Sequence, residues 1–210
     1  MIALIDYGSG NLRSVEKALA KVDGDVRIVS APADVLAADA VVLPGVGAFG
    51  DCVSNLAKLN LVDAIRDFIA SKRPFLGICV GLQMLFESGD ESRGVPGLCV
   101  LPGTVPRFAD GKLKVPHMGW NQLRIKRPDC PLLRGVLDGS HVYFVHSYYG
   151  QPRDNSVVAA TTEYGAEFAA ALWRDNIFAT QFHPEKSQAV GLKMLENFVE
   201  LVKKSGGRKT

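Results

Sequence analysis

Phe75-Leu76-Gly77-Ile78-Cys79-Val80-Gly81-Leu82-Gln83 is the stretch on which the reading of this chain turns. A short apolar run of strand character, residues 75–78, stops at Gly-x-Cys-x-Gly. A helical pattern of apolar residues, Val80, Leu82, Met84, Leu85 and Phe86, starts at once. Glycines on both sides of a cysteine at a strand-to-helix junction allow a sharp, strained turn that pushes the middle side chain out of the sheet. The turn also sets the sulfur near the N-terminus of the next helix, where partial positive charge favours thiolate over thiol. An average cysteine is a small buried hydrophobe; the two flanking glycines make Cys79 a candidate nucleophile.

Outward from this junction the first half alternates strand and helix patterns. Strands are expected at residues 2–6, 26–29, 40–43 (stopped by Pro44) and 75–78. Helices are expected at 12–22, with Val15, Ala18, Leu19 and Val22 on one face, and at 61–70, with Asn60 as N-cap and Ile65, Phe68 and Ile69 turned inward. The strands are continuously apolar rather than alternating, as in a parallel sheet covered on both faces. The second half is punctuated by proline and glycine over residues 94–152. Short strands are expected at 119–125, 142–145, 157–161, 168–173 and 177–181, as antiparallel pieces added to the sheet. A last helix is expected at about 189–202. The fold class is therefore α/β, a mostly parallel central sheet with helices on both faces and antiparallel strands in the C-terminal half.

A chain of 210 residues can bury a proper core in one domain, placed at residues 1–203. The basic residues Lys203, Lys204, Arg208 and Lys209, near Gly206 and Gly207, mark residues 204–210 as a tail expected to fray. A net charge of +2 is too small to argue for nucleic acid. The four cysteines, Cys52, Cys79, Cys99 and Cys130, form no CxxC pair and show no metal spacing, so no metal is expected; no cofactor is expected either. The N-terminus opens on Ile2-Ala3-Leu4-Ile5 without a basic-then-apolar signal region, and no apolar run reaches membrane-spanning length. Reduced thiols in a cytoplasmic enzyme are the expectation.

A cysteine nucleophile needs a base, and the base needs a group that orients it. Of the four histidines, His183 stands in Gln181-Phe182-His183-Pro184-Glu185, just after a strand-like run, where α/β proteins carry site residues. Pro184 biases His183 toward extended backbone, from which Glu185 reaches back to the imidazole. His146 follows the strand at 142–145 and could line the pocket edge; His117 and His141 read as polar groups near turns. Acyl transfer also needs donors for an oxyanion. Pro44-Gly45-Val46-Gly47 directly follows a strand, and the amide of Val80 follows the nucleophile. The same loop has a rival reading: Gly45-Val46-Gly47-Ala48-Phe49-Gly50 matches G-x-G-x-x-G after a strand, a dinucleotide fingerprint. Against it, no ribose-binding acid stands at the end of a following strand.

Together these residues resemble the class I, triad-type glutamine amidotransferases. Gly77 to Gln83 look like the nucleophile segment of that family, and His183-Pro184-Glu185 like its base and orienting acid. Ile5-Asp6-Tyr7-Gly8-Ser9-Gly10-Asn11, Leu43-Pro44-Gly45-Val46-Gly47-Ala48-Phe49, Pro116-His117-Met118-Gly119-Trp120-Asn121, Tyr143-Phe144-Val145-His146-Ser147-Tyr148 and Phe182-His183-Pro184-Glu185-Lys186-Ser187 are similar to the branch that serves histidine biosynthesis. The resemblance runs from about residue 2 to residue 200. It implies that Cys79 attacks the side-chain amide of glutamine, that His183 handles the proton, that Glu185 orients His183, and that a thioester is hydrolysed to glutamate. It implies an oxyanion hole at Gly45, Val46, Gly47 and Val80, and substrate contacts at Gln83, Glu91 and the backbone of Ser147 and Tyr148. It further implies a heterodimer with a (β/α)₈-barrel cyclase subunit. That subunit receives ammonia through a channel, makes imidazole glycerol phosphate and aminoimidazole carboxamide ribotide, and meets this chain near Asn11, Trp120 and Lys186. The lone subunit would be nearly silent until the loop at Gly45–Gly47 reorients. Two alternatives stay open from sequence: another cysteine hydrolase on the same scaffold, such as a γ-glutamyl peptidase or intracellular protease, and a nucleotide-binding regulatory module.

Overall fold

A computed structural model describes residues 1–109, 111 and 113–206. The first half builds the sheet. Strand β1 (Ile2–Ile5) is buried at every position, as are β3 (Ala40–Gly45) and β4 (Phe75–Cys79); this is why their sequences run apolar without alternation. Strand β2 (Val26–Val29) lies at the edge and is half exposed. Between them come α1 (Leu12–Lys21), α2 (Pro32–Ala37), α3 (Phe49–Lys58) and α4 (Leu61–Ala70). Helix α3 buries Phe49, Cys52, Val53 and Leu56, and α4 buries Leu61, Ala64, Ile65, Phe68 and Ile69, each one stripe of period 3.6. A single helical turn, α5 (Val80–Gln83), follows β4.

The second half is strand-rich: β5 (Ser88–Gly89), β6 (Gly103–Val105), β7 (His117–Gln122), β8 (Arg124–Ile125), β9 (His141–His146), β10 (Gln151–Pro152), β11 (Val158–Glu163), β12 (Glu167–Arg174) and β13 (Ile177–Thr180). Helix α6 (Gln188–Gly206) closes the chain. The main sheet has the order β2-β1-β3-β4-β13-β12-β11-β8. Its first five members are parallel, and β12, β11 and β8 join antiparallel. The chain moves outward from β1 to β2 and then back past β1 to β3, so right-handed crossovers put α1 on one face and α2 to α4 on the other. Helix α1 packs with α6, and α4 packs with both α2 and α3.

Several expectations need correction. Strand β3 runs through Pro44 to Gly45. Its pairing with β1 ends at Val42, so the missing proline N–H falls where no β1 partner needs it. The apolar residues after Cys79 form only one helical turn. Met84, Leu85 and Phe86 are fully buried, but their carbonyls accept from the amides of Leu98, Cys99, Val100 and Leu101 instead of continuing a helix. Helices α2 and α3 were not expected. Asn60 precedes α4 in a left-handed conformation (φ 56°) and its side chain makes no capping bond. The strand expected at 119–125 splits: β8 joins the main sheet, whereas β7 pairs with β9 in a separate antiparallel ribbon. Of the expected tail, Lys204 to Gly206 continue α6, and residues 207–210 lie outside the described residues.

Candidate active site

The register of the central strands assembles the site. Gly45 on β3 is level with Cys79 on β4, and Ile78 is level with Thr180 on β13. Residues just past β13 therefore stand beside Cys79 although about a hundred positions separate them in sequence, and the site lies at the carboxyl ends of the parallel strands. Cys79 has φ 56° and ψ −109°, a strained backbone for a residue with a Cβ. The flanking glycines serve close approach rather than positive φ. A Cβ on Gly81 would lie 1.9 Å from the Leu43 carbonyl oxygen, and one on Gly77 would lie 2.8 Å from the Gly81 carbonyl oxygen. The turn fits under β3 only because both side chains are missing.

His183 and Glu185 are both buried, at 2% and 0% side-chain exposure, with Nδ1 of the ring 2.8 Å from Oε1 of the acid. The backbone holding them is fixed by its neighbours: His183 N–H donates to the Tyr143 carbonyl, Ser187 Oγ donates to the His183 carbonyl at 2.7 Å, and Tyr143 N–H donates to Ser187 Oγ at 3.0 Å. Among the described residues, Nε2 of His183 is buried without a hydrogen-bond partner. Burial opposes a charge on this ring, but Cys79 and Glu185 outweigh it and raise the imidazole to about 10. An imidazole that both neighbours bias toward its charged form is suited to take the proton of a thiol.

Cys79 and His183 line one pocket of about 370 Å³ together with Val46, Gly47, Val80, Gln83, Glu91, Pro116, His146, Ser147 and Tyr148, a size suited to a small metabolite. Gln83 Nε2 donates to the Tyr148 carbonyl at 2.8 Å and to Gln181 Oε1 at 3.2 Å. The structure thus gathers the expected nucleophile, base and substrate residues, and most of the expected oxyanion residues, around one cavity, with the expected acid behind the base. Gly45 stands behind it, where a Cβ would meet Val80, Gly81 and the Tyr7 hydroxyl at 2.8–2.9 Å. The loop's carbonyls are held from the N-terminal side: Tyr7 OH donates to Pro44 O at 2.8 Å, and Ser9 Oγ donates to Val46 O. Gly47 has φ 95°, a region that favours glycine.

Trp120 and Lys186 share a neighbour, Tyr143: the indole meets its ring edge-on at 6.0 Å and the ammonium lies 5.8 Å from its centroid. Asn11 precedes α1, which packs against the Pro184–Lys186 turn. His117 is buried rather than beside a turn, because it opens β7 and pairs with His146 across the ribbon. Three contributors, Gln181, Ser187 and Ser92, escaped the sequence reading, as did a structural role for Glu91. Gln181, fully buried, places Nε2 3.8 Å from Cys79 Sγ; only strand register reveals it. Ser187 had a weak signal, a hydroxyl three residues past the proline that starts the turn. Glu91 and Ser92 accept from the amides of Phe49 (2.7 Å) and Gly50 (3.0 Å) at the start of α3. The N-terminus that a dinucleotide pyrophosphate would need is therefore filled by the protein's own carboxylate and hydroxyl, which disposes of the fingerprint reading.

The family model for class-I glutamine amidotransferases matches residues 3–202. The chain belongs to the class-I glutamine amidotransferases. Among relatives in this family, the imidazole glycerol phosphate synthase subunit HisH of Geobacter sulfurreducens is 56% identical over 206 residues, covering 95% of this chain and 98% of that protein. The protein of the same description from Methanocaldococcus jannaschii is 49% identical, covering 96% and 100%. Amidotransferase folds also match at low identity. A crystal structure of a glutamine amidotransferase has a TM-score of 0.75 at 19% identity, covering 97% of this chain and all of that one. The structure of PurLQS from Thermotoga maritima gives 0.72 at 18%, covering 97% of each.

Proposed function

We propose that this chain is the glutaminase subunit of an imidazole glycerol phosphate synthase, in histidine biosynthesis. The observation that carries the reading is the shared pocket: a strained cysteine and a buried, carboxylate-bound imidazole face one cavity of metabolite size. The description of relatives about half identical over nearly their whole length, as imidazole glycerol phosphate synthase subunits, supports it. Cys79 Sγ attacks the carboxamide carbon of glutamine after its proton passes to His183 Nε2. Glu185 holds Nδ1–H and stabilises the imidazolium. The tetrahedral oxyanion faces the Val80 amide and the Gly45–Val46–Gly47 backbone. His183 returns its proton to the departing ammonia, leaving a thioester that water opens to glutamate. Gln83 and the backbone at Ser147 and Tyr148 orient the substrate, and Glu91 attracts its ammonium group.

Ammonia released into water would be protonated, so the reading includes a cyclase subunit with a (β/α)₈ barrel that takes it through a channel. Asn11, Trp120 and Lys186 are assigned to that contact, supported by the proximity of Trp120 and Lys186 to Tyr143. No cofactor or metal enters the scheme, and its setting is the cytoplasm. Among the described residues no helix is long and apolar enough to cross a membrane. The test is glutamate release from free glutamine, measured with and without the cyclase and its nucleotide ligand. Turnover stimulated by the complex and lost in Cys79→Ala is expected. Cleavage of γ-glutamyl peptides in place of glutamine would favour a peptidase instead.

A further inference from the structure

Two buried histidines beside the pocket have no part in the scheme above. His117 Nδ1 lies 3.4 Å from His146 Nε2. Beyond His117, Asn121 Nδ2 lies 3.2 Å from its Nε2. Beyond His146, Nδ1 lies 2.8 Å from the Tyr148 carbonyl oxygen. We propose that Asn121, His117 and His146 are positioning residues, a one-directional chain of hydrogen bonds that fixes the Tyr148 carbonyl, and through it Gln83, for glutamine binding. The inference rests on the glutaminase reading for the identity of the ligand.

The direction follows from both ends. Asn121 Oδ1 accepts from the Gln122 amide at 2.8 Å, and Asn121 Nδ2 donates to the Glu163 carbonyl at 2.9 Å, so the second Nδ2 proton points at His117 Nε2. A neutral ring that accepts at Nε2 carries its proton on Nδ1. That proton points at His146 Nε2, which must accept, and the His146 proton is then on Nδ1, facing Tyr148 O. Starting from Tyr148 O, which can only accept, the same two tautomers result. Burial keeps both rings neutral, His117 at about 4 and His146 at about 3, with the neighbouring His117 and His183 opposing charge on His146 further. Stacking of His117 on Phe144 (4.8 Å) and Tyr164 (4.0 Å) fixes its plane.

The chain ends on a functional atom rather than in the core. Tyr148 O also accepts from Gln83 Nε2 at 2.8 Å; Gln83 continues to Gln181, and Gln181 to Cys79 Sγ. A carbonyl that receives two donors has little freedom to swing.

Two measurements test this. Long-range ¹H–¹⁵N NMR of the full chain at neutral pH should show His117 and His146 as Nδ1–H tautomers. An Nε2–H or protonated ring at either position overturns the chain. In glutaminase assays of the complex with its cyclase, His146→Leu should raise KM for glutamine at least tenfold with a smaller loss in kcat. His146→Asn, which keeps a donor near the Nδ1 position, should recover most of that. Asn121→Leu, remote from the pocket, should raise KM at least threefold and mix the His117 tautomers. A folded His146→Leu with KM within twofold of wild type refutes the proposal, as does an equal KM rise in His146→Asn. A wild-type complex that releases no glutamate refutes the glutaminase reading instead, and the NMR tautomers still decide the chain.

Discussion

Replacing Glu185 by Gln tests the buried base and acid as one unit. The two groups are 2.8 Å apart and almost fully enclosed. Unit charges at that separation attract by about 6 kcal/mol at an effective dielectric constant of about 20. Glutamine preserves the shape and can still accept from Nδ1–H, but it contributes no charge to the imidazolium that forms when Cys79 gives up its proton. If the amide turns its NH₂ toward Nδ1, the ring takes the wrong tautomer and Nε2 can no longer accept from sulfur. Most of that attraction should therefore be lost in the transition state: a fall in kcat of roughly 10³–10⁴, or about 4–5.5 kcal/mol. KM for glutamine should hardly change, because Glu185 is sealed behind His183 and does not line the pocket. The assay is glutamate release by the complex over a range of glutamine concentrations, with circular dichroism to show that the variant is folded. A folded Glu185→Gln enzyme within tenfold of wild-type kcat would refute the reasoning, since the carboxylate could not then be what supports the ring.

Glu91→Gln should raise KM for glutamine about tenfold and lower Tm slightly, because Glu91 faces the pocket and also receives the Phe49 amide at the start of α3; saturation kinetics and a thermal melt check the two effects separately. Gly81→Ala should destabilise the fold by about 3 kcal/mol or more, since its Cβ would lie 1.9 Å from the Leu43 carbonyl oxygen. Gly47→Ala, with open space around it but φ 95°, should cost only about 1–2 kcal/mol of backbone strain; denaturant midpoints compare them. Acid should weaken the protein through His117 and His146. Rings that titrate near 4 and 3 when folded and near 6.5 when unfolded take up protons first in the unfolded chain, so stability falls as pH drops from about 6.5 toward 4. Denaturant melts at pH 7 and pH 4.5 should show a loss that His117→Phe reduces.

The sequence exposes the site more fully than the fold around it. Gly77, Cys79 and Gly81 announce a tight elbow, and His183-Pro184-Glu185 a base with its acid, because each motif works over a few adjacent residues. What joins them is strand order: β13 beside β4 is a pairing between residues a hundred apart, and no local pattern encodes it. The expected helix after Cys79 fails for a related reason. Met84, Leu85 and Phe86 follow Val80 and Leu82 at helical separations of three and four, yet the amides of residues 98–101 take their carbonyls, so tertiary bonding overrides periodicity. Helix α3 is hidden because its first two residues, Phe49 and Gly50, end the glycine-rich stretch that suggests a dinucleotide fingerprint, and its first amides are satisfied by Glu91 and Ser92, forty-two positions away. His117 looked like a turn residue because a proline and a glycine flank it closely; its burial is a property of the ribbon it shares with His146.

The ribbon of β7 and β9 has two sides that answer to different demands. Along β7 the exposed positions, Met118 at 63% and Trp120 at 47%, alternate with His117 and Asn121, which face inward. Because strand side chains alternate strictly, the outer positions can be rewritten singly without altering what the inner ones touch. A one-residue slip of β7 against β9 does the opposite: it turns the tryptophan inward and the imidazole toward solvent in one stroke. Laboratory libraries that vary this ribbon should therefore tolerate substitution on alternate positions and reject length changes altogether.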